Sequence, residues 1–98
     1  MIAIVLLFAA QLAAGDPQDL SRFGPLPKDV VAFVERRTGC NHFAGEFNGD
    51  RSARDREVRR TMRELRCGVL ERHEARLQRR HANNPQALTA LAATRDWQ

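Results

Sequence analysis

Cys40-Asn41-His42-Phe43-Ala44-Gly45-Glu46 is the densest run of reactive side-chain types in the chain. A thiol, an imidazole and a carboxylate this close together raise three chemistries: a disulfide half, a metal-ligand set, or a nucleophile with its base. On a helix, His42 and Glu46 stand one turn apart and face the same way. Cys40 lies two positions from His42 and is rotated from it by about 200°. That divergence separates the roles: Cys40 is directed towards a distant partner, while His42 and Glu46 form a local pair.

The only other cysteine is Cys67. Zinc takes thiolate and imidazole ligands in tetrahedral sets. A zinc or copper site would draw on Cys40, His42, Cys67 and His73, or on Glu46 and His81, but C-x-H followed by C-x5-H is loosely spaced. In an oxidising compartment an even pair of cysteines reads first as a disulfide, and oxidation consumes both sulfurs. The expectation is a Cys40–Cys67 bridge with no metal and no other cofactor; a metal-binding module built on His42 with Cys40 and Cys67 is the alternative. A Cys40/His42 nucleophile needs a thiolate beside its base, which the helical rotation opposes. Glu35 and Glu46 would be the carboxylates for glycoside chemistry, yet no aromatic residues are interleaved to stack on sugar rings. No catalytic residue is assigned, and an enzyme is not expected. His42 and Glu46 are assigned a structural role or, failing that, a ligand role.

Charge is distributed unevenly. Residues 51–80 hold eleven arginines against five acids, for a net +6, while the remainder of the chain is net −2. Fifteen of the sixteen basic residues are arginine, and Lys28 is the sole lysine. Arginine makes bidentate contacts to carboxylate or phosphate, so Arg56, Arg59, Arg60, Arg63 and Arg66 form a candidate partner-binding face. The preferred reading of the charge by itself is a solvated helix surface helped by local acids.

These residues need elements to position them, and an address. Ile2 to Ala14 carries no charge and one polar side chain, Gln11. Thirteen helical residues rise about 20 Å, short for a membrane crossing and suited to a signal-peptide core. Ala13-Ala14-Gly15 supplies small residues for cleavage before Asp16; only the amino terminus provides positive charge ahead of the apolar run. The expected organisation is a signal peptide over residues 1–15, an extended lead-in over 16–27, and one helical domain over 28–96. An uncleaved anchor and a buried helix of a cytosolic domain are the alternatives. Cleavage leaves 83 residues, a size at which a fold usually needs a staple. Export argues against a nucleic-acid partner and favours an acidic protein or an anionic glycolipid. Stable membrane insertion after cleavage is not expected.

The lead-in holds Pro17, Pro25, Pro27 and Gly24 and reads as irregular, with Phe23 and Leu26 tacked to the core. Pro27 and Asp29 open a first helix in which Val30, Val31, Phe33, Val34 and Arg37 follow helical spacing. Thr38-Gly39 is one place for it to stop. Continuation is preferred, since it carries Cys40, Phe43 and Phe47 along one side. Asn48-Gly49-Asp50 is a turn, and Ser52 with Asp55 resembles a capping box. Val58, Met62, Leu65 and Val69 make a narrow stripe on a second helix ending near Cys67, with Gly68 either stopping it or absorbed into it. Leu70 to His81 forms a third, with Leu70, Ala75 and Leu77 inward. Asn84-Pro85 opens a fourth, with Leu88, Leu91 and Ala92 inward. Trp97 either caps the core or lies in a loose tail. Nothing alternates with period 2, so the fold class is all-α, a small bundle of three to four short helices with one disulfide.

The chain resembles a group of small exported bacterial proteins of unassigned function. The shared features run from about Val30 to Leu91: the Cys-Asn-His-aromatic-x-Gly-Glu block, a single cysteine in Leu65-Arg66-Cys67, an Arg-rich helix and an Asn-Pro helix start. The resemblance implies proteobacterial-type origin, export to the periplasm or beyond, and a Cys40–Cys67 pair; it implies no activity. His81 departs from the pattern, where an aromatic such as Tyr is expected, and this counts against a ligand role for it.

Overall fold

The computed structural model describes residues 18–98; the expected leader and the start of the lead-in lie outside the described residues. Among these residues every regular element is helical, and the all-α expectation holds. Four α-helices follow in order: α1, Lys28–Glu46; α2, Ala53–Glu64; α3, Leu70–Arg80; and α4, Pro85–Ala93. Short 3-10 turns form at Leu20–Phe23 and Cys67–Val69.

The long helix α1 is the hub and packs against each of the other three. It runs through Gly39 without a break. A Cβ added at Gly39 would sit 3.3 Å from Leu65 Cδ1, so the missing side chain lets the end of α2 approach. The first half of α1 supplies Val30, Phe33 and Val34 to a core shared with Leu77, Ala87 and Leu91. Leu20, Leu70 and Trp97 pack around that core, and the Phe23 and Trp97 rings meet at 6.4 Å. Trp97 therefore caps the core. The second half of α1 buries Cys40 and stands beside α2, whose Val58 is fully buried.

Local chemistry sets the helix starts. Ser52 Oγ accepts the Asp55 amide at 3.0 Å and caps α2. Asn84 Oδ1 accepts the Ala87 amide at 3.1 Å and caps α4, with Pro85 at its first position.

Four expectations are corrected. The lead-in is not wholly irregular: Asp19 Oδ1 accepts the Ser21 amide at 3.0 Å and starts the first 3-10 turn. The second helix ends before Cys67, not at Gly68, because Arg66 adopts the left-handed conformation, with φ 57°. That reversal turns the chain so that Cys67 comes back to α1. Phe47 is not inward; it lies past the last turn of α1 in extended conformation and is 39% exposed. On α4 the inward set is Ala87, Ala90 and Leu91, while Ala92 is exposed and Leu88 half-buried. The core contacts that α4 makes with α1 select the turn containing Ala87 and Leu91.

Candidate functional site

Cys40, buried on α1, bonds to Cys67 of the second 3-10 turn, with the Cα atoms 5.6 Å apart. This covalent link ties the second half of α1 to the segment joining α2 and α3. His42 stands on the exposed side of the same helix. Its Nε2 lies 3.1 Å from Glu46 Oε1, its ring meets Phe43 edge-on at 5.1 Å, and its side chain is 54% exposed. Glu46 also receives a hydrogen bond from Arg54 of α2. The pair thus forms a surface link between α1 and α2. Asn41 does work that its place in the block did not signal. Its Nδ2 donates to the carbonyls of Arg95 and Trp97, at 3.0 and 2.8 Å, and anchors the C-terminal tail.

The remaining histidines are also engaged. His73 Nδ1 accepts from Arg36 Nη2 at 2.5 Å. Burial, and then the guanidinium groups of Arg36, Arg66, Arg76 and Arg72, push its pKa below 6.5. His81 Nε2 lies 2.9 Å from Asp29 Oδ1, and Arg80 donates to the same carboxylate at 2.9 Å. Burial works to raise the Asp29 pKa, but Arg80 and His81 outweigh it and hold the group low. His42, His73 and His81 therefore lie with three different partners. Among the described residues, no three His, Cys, Asp or Glu side chains gather in a way that would hold a metal ion.

Two groups escaped the sequence reading. Arg37 is buried on α1, between Phe33 and the other helices. Its guanidinium donates to Glu74 at 2.7 Å, to the Leu91 carbonyl at 2.6 Å and to Thr94 Oγ1 at 2.8 Å. It also stacks 5.0 Å from the Phe33 ring centre, although its Nε finds no hydrogen-bond partner. The available signal was its position in the apolar spacing of α1, where a charged residue demands a satisfied partner. Asp55 is also fully buried. It does not complete the capping box by reaching Ser52; its carboxylate accepts the amides of Asn48 at 3.0 Å and Asp50 at 2.8 Å. The Asn48 amide, opposed by burial and aided by Asp50, holds its pKa below the ordinary carboxylate range.

The candidate arginine face is exposed throughout. Arg56, Arg59, Arg60 and Arg63 recur at helical spacing on α2, away from buried Val58. Arg66 is placed beyond them by its left-handed backbone. None of the five has a carboxylate within ion-pair distance among the described residues. Arg56 donates to the Arg51 carbonyl at 3.0 Å, and Arg59 stacks 5.4 Å from the Phe47 ring centre.

Along one edge of this face runs an open groove of about 740 Å³, between the last turn of α1, the end of α2 and the Cys67–Val69 turn. Ala44, Phe47, Met62, Cys67 and Val69 line it. Arg59, Arg63 and Arg66 stand along it. The arrangement suits binding: an apolar floor beside three unneutralised cations. Comparison with protein-family models, characterised proteins and solved structures finds no match for this chain.

Proposed function

We propose that this chain is a small exported, non-catalytic binding module of the cell envelope or its surroundings, whose α2 arginines meet an acidic protein or an anionic glycolipid. The observation that carries this reading is that Arg56, Arg59, Arg60, Arg63 and Arg66 have no carboxylate within ion-pair distance among the described residues, while several acids of the fold are engaged elsewhere. Glu46 is held by His42 and Arg54, Glu74 by Arg37 and Arg95, and Asp55 by backbone amides. Guanidinium groups left without a counter-charge are available to carboxylate or phosphate in bidentate contacts.

Export is supported by the apolar leader, by the resemblance to small exported bacterial proteins, and by a bridge of the kind that persists in oxidising compartments. No helix among the described residues is long and apolar enough to cross a membrane. The non-catalytic reading is supported by the occupations of the reactive groups. Both sulfurs are in the bridge, and each histidine is bonded to a side chain that positions it.

Crosslinking capture from envelope material, repeated over a range of ionic strength, tests the proposal. The parent protein should hold its partner at low salt and release it as screening shortens the reach of surface charges. The R59Q/R60Q/R63Q variant should fail to capture the partner even at low salt. Capture that ignores salt and survives these substitutions overturns the arginine face.

A further inference from the structure

The groove beside α2 combines two features, an apolar floor and a cationic rim. Phe47 is the one large hydrophobic residue among those described that counts as exposed, and it lies in the groove with Met62 and Val69. Met62 contributes an unbranched, polarisable side chain that adapts to an irregular apolar guest. The floor offers few hydrogen-bonding groups, so an extended peptide laid there would leave its amides and carbonyls unpaired. The rim has the opposite character. Arg59 and Arg63 are one helical turn apart on the same side of α2, and Arg66 follows on its reversed backbone. A second copy of this chain related by a twofold axis would bring two arginine rims face to face, a like-charge arrangement. The guest that satisfies both floor and rim has an apolar chain and an anionic head.

We propose that the groove binds one acyl chain of an anionic phospholipid, with Phe47, Met62 and Val69 holding the chain and Arg59, Arg63 and Arg66 holding the headgroup phosphate. The groove's volume of about 740 Å³ falls within the range of small-molecule sites, about 300–1,000 Å³. The planar guanidinium fork matches phosphate oxygens in pairs. This inference rests on the arginine-face reading and gives that face a ligand class.

The test is calorimetric titration of the full chain with lysophosphatidylglycerol carrying a 12- or 14-carbon chain, kept below micelle formation. Binding should be one-to-one and should tighten by about tenfold over the two added methylenes. It should weaken at least tenfold with the zwitterionic choline headgroup. Ala44→Trp, at an exposed position on α1, fills the groove without touching the core, and should abolish binding while leaving the melting temperature unchanged. If that variant proves unstable, Met62→Gln serves the same purpose by making the floor polar. Equal binding by the parent and both groove variants overturns the proposal, because another surface is then responsible. Equally tight binding of glycerol 3-phosphate, which has no chain, overturns the groove but leaves the arginine face standing. Self-association that Ala44→Trp abolishes makes a second copy the occupant and also overturns it. Chain-length-dependent binding that disregards salt and headgroup charge removes the arginine rim from the site and overturns the proposal, while the capture test of the arginine face stands apart.

Discussion

Arg37 and the arginines of α2 are chemically identical side chains in opposite circumstances. Arg37 is enclosed by three helices and has a carboxylate, a carbonyl and a hydroxyl arranged around one guanidinium. Arg59, Arg60 and Arg63 face water with no carboxylate within ion-pair distance among the described residues. The first environment orders the fold, because a buried guanidinium is tolerated only when its geometry is satisfied. The second leaves the fold indifferent and the surface charged, which makes it available to a partner. Arg37 is thus occupied by the fold, while the α2 arginines are left to solvent.

Removing Arg37 is the strongest way to break this contrast. Arg37→Ala leaves the Leu91 carbonyl and Thr94 hydroxyl short of a donor, and Glu74 with only Arg95, at 3.3 Å. Loss of one partner from a buried pair costs about 3–5 kcal/mol, and urea unfolding should show a loss in that range. A loss below 1 kcal/mol would place Arg37 with the surface arginines and erase the distinction.

The staple is expected to rank close behind. Cys40→Ser opens a loop with a sequence separation of 27 residues, worth about 3–4 kcal/mol in chain entropy. The variant should lose that much relative to the oxidised parent, and reduction should bring the two together. Equal melting of the oxidised parent and the variant would show that α1 and the Cys67 turn hold each other without the bridge.

Acid should loosen the ordered region before it affects the arginine face, in two stages. His73 has a folded pKa below 6.5, so the unfolded chain takes up its proton first. Its contribution is complete above pH 6.5 and fades as the pH falls towards the depressed folded value. Asp29 and Asp55, both held low, contribute fully above the ordinary carboxylate pKa of 3.8. Their contribution fades as acidity passes through their folded values. Melting temperatures measured from pH 8 to pH 3 should show both stages, and His73→Gln should remove the first alone. A flat profile between pH 7 and pH 5 would mean that His73 protonates without opposition.

The smallest stability effect sharpens the other side of the comparison. R59Q/R60Q/R63Q should shift stability by less than about 0.5 kcal/mol per site. A slight gain is expected, because Arg59/Arg63 and Arg56/Arg60 are like-charged neighbours one turn apart. Thermal unfolding of this variant beside Arg37→Ala places the two classes on one scale. A large loss would make the α2 face structural.

Features governed by neighbours in the chain were legible in the amino-acid order. Ser52 and Asn84-Pro85 mark helix starts because a cap needs only an oxygen three residues before an amide. Val58 and Leu65 mark the side of α2 that faces α1 because helical spacing alone puts them together, whereas Met62, on the same expected stripe, lies in the open groove. His42 and Glu46 meet for the same reason. The disulfide was accessible from cysteine count and the expected compartment, although the left-handed turn at Arg66 that delivers Cys67 was not.

Tertiary structure decided which arginine is buried, what Asn41 holds, and that Phe47, Met62 and Val69 share a groove with three cations. Arg37 meets its partners 37, 54 and 57 residues along the chain. No local pattern encodes such distances; they arise when α3 and α4 close on α1. Burial removes water as the alternative partner, so packing determines which identical side chains become structural and which remain free to bind.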